Sequence, residues 1–163
     1  MANSFTHWLG LTSEHKPLAV GDAAPDVATH DEEGHRVQLG NLYGENLTFI
    51  FFYPKAGTPG CTAQACSVRE DFEELQQSGV KVFGVSADTP KAQRRFKARF
   101  RLPFTLLADY DRAVADAFGV PMLLGMTRRQ SFLIRHGRIV WRDLHASTSN
   151  QAKDVLRALS TLP

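Results

Sequence analysis

The chain has 163 residues, 43% hydrophobic and 22% charged, with a formal net charge of +2. That size and balance suit one globular domain with its own core and no need of a covalent staple. So small a charge, with no dense basic cluster interleaved with aromatics, argues against a nucleic-acid partner, and no apolar run approaches the ~18 residues of a membrane span.

Residues 1–16 read as an N-terminal extension of weak periodicity, with one short helix expected around Phe5 to Leu11. Its apolar residues are interrupted by Thr6, His7, Thr12 and Ser13 and it lacks a basic start, so it does not read as a secretory signal. A cytoplasmic location is therefore expected, and a single domain over residues 17–163. Pro17 to Pro25 carries loop punctuation. Val27 to Thr29 and Arg36 to Leu39 suit a small N-terminal hairpin with Gly34 in its turn. Leu47 to Tyr53 (LTFIFFY) is nearly all apolar, the pattern of a strand covered on both faces.

Pro59 to Ser78 reads as a helix, with Thr58 at its N-cap, Pro59 in the first turn and Gly79 ending it. At 100° per residue Cys61, Ala65, Val68, Phe72 and Leu75 form its core stripe. Cys66 lies on the polar side with Glu70, Glu73 and Gln77. A strand follows at Val80 to Ser86, then a helix over Thr89 to Arg101, whose basic residues read as a solvated face. Phe104 to Ala108 is a short strand and Asp111 to Phe118 a short helix ended by Gly119. Residues 119–128 read as loop. Gln130 to Ile134 and Arg138 to Asp143 make a hairpin around Gly137, and a last amphipathic helix is capped by Ser149 or Asn150. Strands separated by helices predict an α/β fold, and the late hairpin makes its central sheet mixed.

The chemistry concentrates in Phe51 to Cys66 (FFYPKAGTPGCTAQAC). Cys61 sits in the first turn of a helix, where unpaired backbone N–H groups and the helix dipole favour a thiolate. Residues five apart on a helix have Cα atoms roughly 8–9 Å apart, whereas a disulfide needs less than about 7 Å. Either the two thiols never bond, or the first turns unwind when they do; Pro59-Gly60 gives that end a start that frays at modest cost. A thiolate that attacks a peroxide becomes a sulfenic acid, and a second thiol converts that to a disulfide. The cation such a thiolate needs must come from elsewhere in the chain. A two-cysteine metal site has the wrong spacing and no completing Cys or His cluster.

The pattern Pro54-x-x-x-Thr58-x-x-Cys61 resembles the active-site motif of peroxiredoxins, and YPKAGTPGCTAQAC resembles the peroxiredoxin Q group, also called bacterioferritin comigratory proteins. That group places its resolving cysteine five positions after the peroxidatic one, as Cys66 follows Cys61. Gly21 to Val27 (GDAAPDV) resembles the family's entry segment, and Arg128 to Val140 resembles the segment carrying its active-site arginine, which falls on Arg129 with Arg128 as rival. The resemblance implies a thioredoxin-like fold and thiol-dependent reduction of hydrogen peroxide and organic hydroperoxides. It implies Cys61 as nucleophile and Cys66 as resolving thiol, joined in a redox-active Cys61–Cys66 disulfide that thioredoxin or a similar dithiol reduces. Thr58 would hydrogen-bond the thiolate and the peroxide, Arg129 would stabilise both, and Pro54 would shield the pocket. Gly60 and the Cys61 N–H would border the peroxide. No cofactor, metal, membrane or nucleic acid is implied, and a monomer is expected because resolution needs no partner chain. The rim at residues 119–128 looks shorter and less aromatic than in many members. Three readings follow: a peroxidase of this two-cysteine type or a one-cysteine type resolved by an external thiol; a thiol–disulfide oxidoreductase, which expects an absent C-x-x-C; and a redox-sensing module.

Overall fold

A computed structural model describes residues 16–163. The expected helix at Phe5 to Leu11 lies outside the described residues.

A five-stranded mixed sheet forms the centre, in the order β5 (Thr105–Ala108), β4 (Val80–Ser86), β3 (Leu47–Phe52), β8 (Ser131–Arg135), β9 (Arg138–Asp143). β3, β4 and β5 run parallel, while β8 is antiparallel to β3 and to β9. The central strand β3 explains the layering. Phe49, Phe51 and Tyr53 enter one core and Ile50 and Phe52 the other, all fully buried. A strand with helices on both faces has no polar side to show, which is why LTFIFFY reads as a continuous apolar run.

On the first face the sheet packs against α1 (Pro59–Glu70), α2 (Phe72–Gln77), α3 (Pro90–Phe100) and α5 (Gln151–Leu159). On the other face lie α4 (Ala113–Phe118), a 3₁₀ turn at Leu39–Leu42 and the N-terminal hairpin of β1 (Ala28–His30) and β2 (Arg36–Gln38). Lys16 and Pro17 cross Gly119 so closely that a Cβ there would meet the Lys16 carbonyl oxygen at 2.0 Å. Only glycine admits that crossing, and its φ of +67° is also a glycine conformation.

Three sequence expectations change. The helix expected over Pro59 to Ser78 breaks at Asp71, whose backbone (φ −104°, ψ 10°) leaves the helical region. Arg69 donates from Nη1 to the Phe100 carbonyl at 2.5 Å, tying the end of α1 to α3, and the break re-aims α2 so that Leu75 is fully buried. Residues 119–128 are not all loop: Met122–Leu123 (β6) pairs with Met126–Thr127 (β7). The two-residue turn between them, Leu124-Gly125, has positive φ at both positions, the geometry that matches hairpin twist. The helix expected from Asp111 begins at Ala113, because the side chain of the buried Asp109 accepts the backbone N–H groups of Val114 and Ala115 and sets the start.

Candidate active site

β3 ends at Phe52, the chain turns through residues 53–58, and α1 begins at Pro59. Sites in parallel sheets gather at this carboxyl end of the strands. The turn is anchored from the neighbouring strand end: Asp88 accepts the Ala56 N–H at 2.8 Å and the Ser86 hydroxyl at 2.6 Å. Below it, the buried Tyr53 hydroxyl donates to Gln93 Oε1 at 2.5 Å. Burial raises the phenol far above its ordinary ionisation range, so Tyr53 serves as a neutral donor.

Cys61 faces inward from the first turn of α1 and is only 1% exposed, while Cys66 is half-buried; both are free thiols. Three N–H groups converge on the Cys61 sulfur. The Lys55 backbone N–H donates at 3.5 Å, and Arg129 Nη1 and Nη2 lie at 3.7 and 3.8 Å. Donors and a cation around one sulfur stabilise negative charge there. Gly60 leaves room beside the guanidinium. A Cβ at that position would stand 3.2 Å from Arg129 Nη2, tighter than ordinary van der Waals contact. Arg128 is exposed, with its backbone N–H on the Pro121 carbonyl at 2.9 Å, and it is Arg129 whose guanidinium meets the sulfur.

Thr58 behaves differently from the expectation. Its backbone occupies the N-cap of α1 (φ −76°, ψ 155°), but its side chain makes no cap hydrogen bond and none to the sulfur. The hydroxyl donates instead to the Lys55 carbonyl at 2.8 Å. The bond stiffens the turn whose Lys55 N–H reaches Cys61. Asn150 likewise stands at the start of α5 without a side-chain cap, and Ser147 Oγ accepts the N–H groups of Ser149 and Asn150 just before it.

Pro54 lines a small cavity of about 170 Å³ with Leu123, Met126, Thr127, Arg128 and Arg129. Leu123, Leu124 and Met126 are exposed on the β6–β7 hairpin, giving this rim an apolar edge. A larger recess of about 440 Å³, near Trp141 and Arg157, shares no residue with the surroundings of the sulfur. The residue that sequence reasoning missed is Gln64, fully buried, whose Oε1 accepts from Arg129 Nη1. The available signal was a glutamine three positions after Cys61, beside the apolar stripe of α1.

Comparison with known proteins places the chain in a family. The AhpC/TSA family matches residues 20–142. The chain belongs to the AhpC/TSA family. Peroxiredoxin Bcp of Escherichia coli K12 is 43% identical over 125 residues, covering 72% of this chain and 80% of that one. The chloroplastic peroxiredoxin Q of Oryza sativa subsp. japonica is 37% identical over 125 residues, covering 76% of this chain and 57% of that longer one. In structure the chain is similar to the peroxidoxin BcpB of Mycobacterium tuberculosis, with a TM-score of 0.83 at 30% identity over 90% of this chain and 99% of that one. It is also similar to the bacterioferritin comigratory protein of Xanthomonas campestris, with a TM-score of 0.76 at 27% identity over 85% of this chain and 98% of that one. The fold is thioredoxin-like, and the chain is a thiol-dependent peroxidase of the Bcp and peroxiredoxin Q group.

Proposed function

We propose that Cys61 is the peroxidatic nucleophile and Cys66 its resolving partner in a single domain over residues 17–163. The observation that carries this reading is the convergence of Lys55 N–H and the Arg129 guanidinium on one buried sulfur, with a second free thiol on the same helix. The Cys61 thiolate attacks one peroxide oxygen. An S–O bond forms, the O–O bond breaks, and the departing oxygen leaves as water or alcohol once it takes a proton. Arg129 stabilises the charge that develops on oxygen as well as the sulfur. Pro54 excludes water from one side, Gly60 and the Cys61 N–H border the peroxide, and Thr58 turns its hydroxyl from the Lys55 carbonyl toward the bound peroxide.

The first turns of α1 then open, and the Cys66 thiolate attacks the Cys61 sulfenic sulfur. The S–S bond forms, the S–O bond breaks, and water leaves. A dithiol of the thioredoxin kind reduces the disulfide and is itself oxidised, so the cycle needs no metal or organic cofactor. The apolar rim of Leu123 and Met126 beside Pro54 suits organic hydroperoxides as well as hydrogen peroxide, and the Xanthomonas campestris protein is described as acting on alkyl peroxides. Both thiols of the cycle come from one chain, which supports a working monomer. Free thiols meant for such a cycle fit a reducing cytoplasm, and among the described residues no helix is long and apolar enough to cross a membrane. Peroxide consumption with a thioredoxin system tests the reading. The Cys61→Ser variant is expected to lose turnover, and substantial residual activity would reject the assignment.

A further inference from the structure

Gln64 does not hold Arg129 alone. Its Nε2–H donates to Gln151 Oε1 at 2.7 Å, and Gln151 Nε2–H donates to Ser131 Oγ. All three side chains are fully buried, on α1, on the first residue of α5 and on the first residue of β8. One end sets the polarity of the whole relay. A guanidinium only donates, so Gln64 must present its oxygen to Arg129 and its amide nitrogen to Gln151, which must then turn its own nitrogen to Ser131. Every member beyond the arginine is neutral, and none of the ion pairs among the described residues involves Arg129. The relay therefore fixes the guanidinium while leaving its charge available to the Cys61 sulfur.

Gln64 also lies between the two cysteines, inside the segment that must unwind before they can bond. Opening that turn withdraws its amide from both neighbours. A buried polar group left without a partner costs more than the bond contributes when made, so the relay opposes opening.

We propose that Gln151 and Ser131 are positioning residues for the peroxidase: through Gln64 they hold Arg129 against the Cys61 sulfur and hold α1 closed. The inference rests on the peroxidatic reading of Cys61 given above. It assigns opposite effects to the two chemical steps. Oxygen transfer from peroxide to Cys61 uses the closed arrangement, and displacement of that oxygen as water by Cys66 uses the open one.

The test is single-turnover oxidation of the full chain with hydrogen peroxide, quenched and resolved by mass into thiol, sulfenic acid and disulfide. Gln151→Leu is expected to slow sulfenic acid formation about fivefold and to speed disulfide closure about fivefold, the scale of one hydrogen bond. Ser131→Ala, which leaves Gln64 and Gln151 in contact, is expected to move both rates the same way by less and serves if Gln151→Leu does not fold. In a Gln64→Ala background, Gln151→Leu is expected to add nothing. Two steps that both slow, that both stay unchanged, or that shift equally in the Gln64→Ala background would overturn the inference. Failure of the peroxidatic reading has a different sign: no sulfenic acid at Cys61 in the unaltered chain.

Discussion

Cys61 and Cys66 share one helix and differ in everything that decides thiol chemistry. Cys61 is buried under Arg129 and the Lys55 N–H, whereas Cys66 is half-buried on the polar side. The helical wheel shows that division in the sequence, because period alone separates positions five apart. It cannot show the Lys55 N–H, a backbone donor that any residue type would supply, nor that the Thr58 hydroxyl turns to a carbonyl. Arg129 was legible only through its motif, since it lies 68 residues from Cys61. Removing that charge, as Arg129→Ala, is expected to slow single-turnover oxidation of Cys61 by hydrogen peroxide of order a hundredfold, the scale of losing a transition-state donor. An unchanged rate would move the role to another group. Cys66→Ser is expected to complete one oxidation and then stop without an intramolecular disulfide. The unaltered chain is expected to lose two hydrogens after one equivalent of peroxide, and an unaltered chain that stays at the sulfenic acid would count against Cys66.

At the scale of elements, α1 carries two demands that conflict. As a helix it presents Cys61, Ala65 and Val68 to the core, each buried almost completely. The proposed Cys61–Cys66 disulfide would require it to give up its first turns, because Cα atoms five apart on a helix lie beyond disulfide range. Hydrogen exchange reports this directly. The amides of residues 62–66 are expected to be protected in the reduced chain and to lose protection in the disulfide form, while β3 stays protected in both. Equal protection of α1 in the two states would mean that the helix does not open. The sequence predicted α1 well at its start, where Pro59 marks the first turn, and poorly at its end. The break at Asp71 stands beside the Arg69 bond to the Phe100 carbonyl, a tertiary contact with no local signal. The β6–β7 hairpin was missed because leucine occupies a turn position with φ of 53°, which sequence rules reserve for Gly, Asn or Asp.

Across the whole molecule, two cores flank β3, and buried polar groups tie the flanking pieces to the sheet. Glu32 of the N-terminal hairpin's turn pairs with Lys97 of α3 and accepts the Leu106 N–H at 3.2 Å. Asp109 has the opposite balance. Burial, with Asp111 and Asp116 nearby, pushes its carboxyl up to about 7 despite two backbone N–H bonds. The folded state then binds that proton more tightly than the unfolded chain. Its contribution to stability is complete below about pH 4 and is lost as pH rises through about 7. Ionising a carboxyl about three pH units above its ordinary range costs of order 4 kcal/mol. Urea unfolding at pH 5 is expected to give the higher stability and at pH 8 the lower. Asp109→Asn is expected to flatten the difference, and an unaltered slope in that variant would assign it elsewhere. The two-sided burial behind this architecture was readable in LTFIFFY. The partner of Glu32 was not, because Lys97 lies 65 residues away, and those of Asp109 were not, because backbone N–H groups carry no residue-type signal.

The measurement that bears most directly on the central claim locates the first oxidised sulfur. Reduced Cys66→Ser chain, and reduced Cys61→Ser chain beside it, are each treated with one equivalent of hydrogen peroxide in the presence of a sulfenic-acid trap, then digested and mapped by mass. The adduct is expected on Cys61, and it should fall sharply when Arg129 is also replaced by alanine. A Cys66→Ser chain that forms no adduct at Cys61, or forms it equally well without the Arg129 guanidinium, would contradict the account.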